Sequence, residues 1–325
     1  MNLSFVTTSP LSTINPAYTD GYFTSRPLLA KWQAPLETFS LLLRRISNIL
    51  FSTSKMVTME RNPITFDGSI PKNYDHYIGP FLFDPYAADL VSRIEIIPGS
   101  NILELACGTG IVTRRLAGQL PASAELTVTD INADMLRVAQ DKISAPNVCW
   151  DTVDMVALPY EHDLFDTVVC QFGLMFAMDK YKAITEMHRV LKRGGKLLFN
   201  VWANIADNPV WRINNTLISR FFPNAPLNPA FGPFSMSDEN YGLSLLQQVG
   251  FTRYKVESVI KTGICDTASD AANGFALGSP LYNLMKNDPP LVERFRDALE
   301  EAIASELGNN PVRSPLRSLV FSAEK

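Results

Sequence analysis

Residues 101–114, Asn-Ile-Leu-Glu-Leu-Ala-Cys-Gly-Thr-Gly-Ile-Val-Thr-Arg, decide how the rest of the chain is read. Ile102, Leu103 and Leu105 have the character of a buried strand. Ala106, Gly108 and Gly110 then form a loop with little side-chain bulk, and apolar residues resume at helical spacing from Ile111 to Leu120. A strand that passes through a lean loop into a helix lets a ligand come close to the backbone, because glycine has no Cβ. It also offers the open N–H groups and partial positive charge of a helix N-terminus.

A nucleotide-type ligand suits such a loop, although Gly-x-Gly alone occurs in many turns. The next apolar run, Leu126-Thr-Val-Thr-Asp130, ends on an acid about twenty residues further on, where a carboxylate can accept from ribose hydroxyls. A dinucleotide site would satisfy both features. Two others argue against it. Thr113 stands where the third glycine of that fingerprint belongs, and Glu104 places an acid inside the strand that such a fingerprint does not need.

Outward from this stretch, five segments in order resemble the class I S-adenosylmethionine-dependent methyltransferases, in the small-molecule branch that includes ubiquinone and menaquinone biosynthesis enzymes. Glu104-Leu-Ala-Cys-Gly-Thr-Gly110 is similar to their first motif, with Ala106 where glycine is usual. Asp130-Ile-Asn-Ala-Asp-Met135 resembles the acidic ribose turn, and Asp154-Met155-Val-Ala-Leu-Pro159 the turn near adenine. Phe165 to Phe172 resembles the fourth strand, and Glu186 to Gly195 the helix and glycine turn before the fifth. The likeness covers residues 74–325. It implies a doubly wound, Rossmann-like α/β fold: a seven-stranded mixed sheet, helices on both faces, a helical cap insertion after the fifth strand and a last strand inserted antiparallel.

Composition sets bounds on function. With 325 residues and a hydrophobic fraction of 46%, the chain can bury a large α/β core. A net charge of −4 gives no broad attraction for nucleic acid or an anionic membrane. Nothing resembles the Asn-Pro-Pro-Tyr motif of amino-methylating nucleic-acid enzymes. Cys107, Cys149, Cys170 and Cys265 form no Cys-x-x-Cys, and most lie in or beside apolar runs, so they read as buried hydrophobes of a reduced intracellular protein. The histidines His76, His162 and His188 are too dispersed for a metal site, and no metal is expected.

Residues 1–58 differ in character, being rich in Ser and Thr and poor in acids. They read as a disordered extension, a leader of transit type or a mis-called start ahead of Met56 or Met59. Pro35 to Phe51 could form an apolar helix too short to span a bilayer. The expected location is the cytoplasm, or an organelle if the leader is real. The remainder, 59–325, reads as one methyltransferase domain with a lid helix at 74–95, a cofactor-binding core at 96–202, a cap insertion at 203–237 and a C-terminal part at 238–325. Strands are expected near 101–106, 125–130, 147–152, 165–171 and 196–202, with further ones at Phe251–Thr262 and Leu316–Glu324. Helices are expected near 110–120, 133–143 and 179–192, the last stopped by Gly194-Gly195, and later at 208–222, Ser237–Val249, Thr267–Leu277 and Leu291–Leu307.

The resemblance also implies roles. The backbone at Ala106, Gly108 and Gly110 would hold the methionine part of S-adenosylmethionine, with Glu104 orienting the loop. Asp130 would accept from the ribose, Ile131 and Met135 would pack on adenine, and Asp154 with Met155 would meet its amine. Gln171 and Phe172 would line the methyl end. Tyr74 and Tyr77, with Phe81 and Phe83, would close the chamber or simply pack on the sheet edge. No catalytic base stands out; His76 and Tyr77 are the weak candidates. The function implied is methyl transfer to a small organic acceptor at oxygen, nitrogen or carbon. The alternatives are a non-catalytic cofactor-binding subunit and a nicotinamide-dependent oxidoreductase. A small-molecule partner, no nucleic acid, no transmembrane segment and a homodimer complete the expectations. Aromatic residues Tyr74, Tyr77, Phe172, Phe176, Trp202, Trp211 and Phe231 suit a flat or apolar acceptor.

Overall fold

Seven strands form one sheet in the order β3-β2-β1-β4-β5-β7-β6. They are β1 (Asn101–Leu105), β2 (Glu125–Asp130), β3 (Val148–Thr152), β4 (Phe165–Gln171), β5 (Leu191–Trp202), β6 (Arg253–Cys265) and β7 (Val312–Glu324). β1 to β5 run parallel, while β7 lies antiparallel between β5 and β6. The computed structural model describes residues 65–224 and 232–325 of the chain. The expectations for residues 1–58, the Pro35–Phe51 helix, Met56, Met59 and Phe231 lie outside the described residues.

Alternation along the central strands fills both faces of the sheet. Leu103, Leu105, Val168, Cys170, Leu197 and Phe199 belong to one core cluster; Ile102, Val169 and Leu198 belong to the other. This is the near-continuous apolar pattern of parallel strands covered on both sides, and it makes the strand reading of residues 101–105 secure. The order of strands reverses beside β1, which pairs with β2 on one side and β4 on the other. At such a switch point the connections leave in opposite directions and open a crevice at the carboxyl ends of the strands.

Several boundaries differ from the sequence expectation. The run expected as a lid helix at 74–95 starts earlier and changes winding on the way: a turn at Ile70–Asn73, a π-helix at Tyr74–Phe83 and an α-helix at Asp84–Ser92 follow without a break. Gly194-Gly195 does not stop the preceding helix. That helix (Lys180–Val190) ends at Leu191, which already pairs with Phe165, and the glycines occupy an irregularity before pairing resumes at Lys196. The insertion after β5 contributes the helix Pro209–Phe221, whose inner face buries Val210, Ile213 and Leu217. No helix among the described residues is long and apolar enough to cross a membrane.

Two loops meet at the crevice. Ala106, after β1, sits at φ 53°, a left-handed conformation unusual for a residue with a Cβ. Phe172, after β4, sits at φ 51°. Between them, Gly173 leaves the room Ala106 needs: a Cβ there would lie 2.3 Å from the Ala106 Cβ and 2.9 Å from the Cys170 sulfur. The departure from the usual glycine at position 106 is thus accommodated across the crevice. Gly173→Ala is expected to destabilise the fold by about 1–3 kcal/mol through overpacking. Adding Ala106→Gly should recover part of that loss, which denaturant titration of the single and double variants will measure; strict additivity would contradict the contact.

Candidate functional site

The site is built around Asp130, the last residue of β2. Its carboxylate is almost fully buried, and each oxygen accepts a backbone N–H at 2.8 Å, Oδ2 from Gly108 and Oδ1 from Asn132. One bond ties the glycine loop to β2; the other shapes the turn into the helix Ala133–Lys142, which Asn132 caps by accepting from Asp134 and Met135 N–H groups. Burial pushes the Asp130 carboxyl upward, and the N–H bonds from Asn132, Gly108 and Ile131 oppose that shift. The loop itself is lean where it must be. Gly110, at φ 83°, would place a Cβ 2.8 Å from Ile143 and 2.9 Å from Ala139, whereas a Cβ on Gly108 would meet nothing within 4 Å. The Gly108 backbone therefore borders open space.

Glu104 forms the floor. It is 2% exposed, and its Oε2 has no hydrogen-bond partner among the described residues. Burial pushes its carboxyl up to about 8; Thr113 lowers it somewhat, without a bond of good geometry, and the Asp130 charge adds to the rise. An acceptor buried without a donor is costly, so this oxygen favours a cation with N–H donors. The helical run above closes the cleft. Tyr74 stacks on Phe83 with ring centroids 5.4 Å apart, and burial, then the nearby Asp130 charge, pushes its phenol upward. Ion pairs hold this run in place: Asp75 with Lys142, and Asp84 with Arg115 at 2.8 Å. The enclosed space is about 30 Å³ and is bordered by Tyr74, Phe83, Glu104, Ala106, Cys107, Gly108, Thr109, Ile111, Val112 and Gln171. That holds a water or two, not a nucleoside, so a large ligand must shift the aromatic cover.

The sequence candidates distribute as follows. Tyr74, Glu104, Ala106, Gly108 and Gln171 border the cleft, and Asp130 and Gly110 shape its loop. Ile131 is 66% exposed at the end of β2, an apolar side chain left open beside the acid. Met135 is buried in the helix behind it, and Met155 is half-buried near Gly173. Asp154 is exposed beyond β3, with its Oδ1 accepting from Val156 N–H in its own turn, and does not border the enclosed space. Phe172 does not border the enclosed space itself: at φ 51° it joins an aromatic cluster beside Phe83, stacked on Trp202 at 4.2 Å and edge-on to Tyr86. His76 and Tyr77 are corrected: winding of residues 74–83 into a helix leaves His76 exposed and presses Tyr77 against Gly274 of the helix Ala268–Leu277, so neither borders the cleft. Among the described residues no group of His, Cys, Asp and Glu could hold a metal ion. Cys107, Cys170 and Cys265 are buried thiols, while Cys149 is exposed.

Phe83, expected to close the chamber or pack on the sheet edge, borders the cleft. Asn200 escaped the sequence reading. Asn200 is fully buried, and its Oδ1 accepts from Phe172 N–H at 3.1 Å, fixing the unusual turn after β4. A polar residue amid Leu197-Leu-Phe-Asn-Val-Trp202 was the available signal.

A strand-order switch with a carboxylate-clasped lean loop and a second, unpaired acid beneath it defines a class of nucleoside-binding α/β proteins, and the unpaired acid calls for a cationic ligand group. Comparison with known proteins agrees. Residues 102–195 match the family of methyltransferase domains. The ubiquinone/menaquinone biosynthesis C-methyltransferase of Bordetella avium is 30% identical over 200 residues, which is 61% of this chain and 71% of that protein. The enzyme of that name from Bordetella parapertussis is 37% identical over 123 residues, 37% of this chain and about half (48%) of that protein. The fold is shared with phosphoethanolamine N-methyltransferase 2 of Haemonchus contortus (TM-score 0.51, 15% identity, 78% of this chain and 56% of that one). It is also shared with the YcgJ protein of Bacillus subtilis (TM-score 0.50, 18% identity, 74% and 97%). The chain belongs to the class I S-adenosylmethionine-dependent methyltransferases of the ubiquinone-biosynthesis type.

The Glu104 shift makes a prediction about the ligand-free protein. Its folded pKa, about 8, lies above the unfolded value near 4.5. Below the unfolded value this group costs nothing; as pH rises from there toward 8 the unfolded chain releases the proton while the folded acid keeps it, and stability falls by on the order of 3–5 kcal/mol. Glu104→Gln removes that titration. Its stability relative to the parent should therefore rise between about pH 5 and pH 8 in chemical denaturation, and a pH-independent difference would contradict an unpaired buried acid.

Proposed function

We propose that the chain transfers a methyl group from S-adenosylmethionine to a carbon of a small, flat, hydroxylated aromatic acceptor. The observation that carries the reading is the buried, unpaired Glu104 oxygen beneath a loop clasped by Asp130. A cationic amino-acid tail suits the first and a diol suits the second, so the residues present fit this cofactor. Glu104 and the Ala106–Gly110 backbone would hold the tail, Asp130 the ribose hydroxyls, and Ile131, Met135 and Met155 the base, with Asp154 beyond it. The preference for carbon follows the C-methyltransferases among the relatives. The aromatic group of Phe83, Phe172, Trp202 and Trp211 next to Gln171 supports a flat acceptor.

When bound, the cofactor would supply an electrophilic methyl on a sulfonium for displacement by the acceptor's carbon, leaving a neutral thioether, and the one proton lost from the methylated ring carbon would pass to solvent. This chain's residues contribute proximity, alignment and exclusion of water. Tyr74 and Phe83 cover the cleft, and Gln171 stands at the end of β4 where the acceptor would approach. Among the described residues, no side chain bordering the cleft is placed to remove a proton at neutral pH: Tyr74 is pushed upward by burial, and both acids face the loop. The acceptor is therefore one whose nucleophilic carbon is activated by its own hydroxyl.

S-adenosylhomocysteine should raise the melting temperature of the purified chain while NAD leaves it unchanged. Asp130→Ala should weaken S-adenosylhomocysteine binding about tenfold or more in calorimetry. Equal affinity for the variant would remove Asp130 from the proposed site.

A further inference from the structure

Gln171 and Asn200 occupy matched positions on neighbouring strands. They are in register between β4 and β5, and their side chains project from the face that carries Val169 and Leu198. Each carboxamide has one end pinned to the backbone. The Gln171 Nε2 donates to the Phe83 carbonyl at 3.3 Å, and the Asn200 Oδ1 accepts from Phe172 N–H at 3.1 Å. These bonds fix which end of each amide is which. What remains is the Gln171 Oε1, an acceptor, and the Asn200 Nδ2, a donor. Both atoms are buried, and neither has a partner among the described residues. Gln171 also borders the cleft that contains Glu104.

Two buried amides with complementary open ends are costly unless a ligand completes them. A hydroxyl group does so: its proton meets Oε1 and its lone pair meets Nδ2. An ether or carbonyl oxygen satisfies only Asn200, and an ammonium group satisfies only Gln171. Once paired with a cation, Glu104 is an acceptor only and offers no competing donor. Phe83, whose carbonyl anchors Gln171, packs with Phe172 and Trp202 at ring distances of 5.3 and 5.9 Å, giving an aromatic surface beside the pair.

We propose that Gln171 and Asn200 form a hydroxyl-binding pair that selects phenol-type methyl acceptors and sets the ring beside the transferred methyl. This rests on the methyl-transfer reading above and adds the group by which the acceptor is recognised. Both are specificity-determining residues; neither takes a proton away.

The test is calorimetric titration of the full chain, saturated with S-adenosylhomocysteine, with methylhydroquinone and with its dimethyl ether. The parent should bind the hydroquinone about tenfold or more tightly than the ether. Asn200→Asp keeps the oxygen that Phe172 N–H needs and removes the donor; Gln171→Met removes the acceptor, and serves alone if Asn200→Asp does not fold. Each should cut the preference to about threefold or less in a chain that still binds S-adenosylhomocysteine. A parent that does not discriminate, or variants that keep the preference, would overturn the pair's role and leave the cofactor reading intact. A parent that fails to bind S-adenosylhomocysteine would overturn both.

Discussion

The clasp that Asp130 makes on the Gly108 N–H holds the site together. The loop after β1 has little side-chain mass of its own to pack, so its path is set by backbone partners. Gly108 bonds to Asp130, Cys107 N–H bonds to the Thr129 carbonyl, and Gly110 N–H closes back on the Cys107 carbonyl. Through these bonds the end of β2 dictates where the loop runs, and Asn132 carries the same order into the next helix. The carboxylate oxygens keep further lone pairs after these bonds, which lets one residue both build the loop and meet a ligand.

The face of the sheet on which Ala87, Leu90 and Val91 pack carries a row of polar residues where a core would otherwise continue. Glu104, Gln171 and Asn200 share it with Ile102, Val169 and Leu198. Each leaves a buried polar atom unpaired. A fold that sought only stability would have filled these places with leucine or valine. Their presence lowers the stability of the ligand-free fold, the cost expected of a site that is completed only when a ligand binds. The aromatic cover keeps the ligand-free cleft small, and the ion pairs of Asp75 and Asp84 fasten that cover to the elements on either side.

Much of this was legible in the sequence, for physical reasons. Strands buried on both faces have to read as apolar runs, so β1, β2 and β4 stand out, and Gly108 and Gly110 mark a loop that tolerates no bulk. Asp130 follows from its place at a strand end. Where the reading failed, the cause was context. Residues 74–83 were expected as part of a lid helix, but not its winding: Gly79 packs closely on Ile111 and the chain passes through Gly79 and Pro80 as a π-helix. The Gly194-Gly195 pair suggested a helix stop, whereas the strand begins at Leu191. The left-handed backbone angle of Phe172 and its stacking on Trp202 leave no mark in the local pattern, because a phenylalanine does not announce a positive φ. Asn200 was missed because its importance lies in a bond to another strand's loop, which no local pattern reveals.

The most direct test is a crystal structure of the chain with S-adenosylhomocysteine. The account predicts ligand density across the carboxyl ends of β1, β2 and β4, with ribose hydroxyls within about 3 Å of the Asp130 carboxylate, the amino-acid tail over Glu104 and Tyr74 moved off the cleft. Density at another face of the sheet, or a ribose that leaves the Asp130 carboxylate untouched, would contradict it.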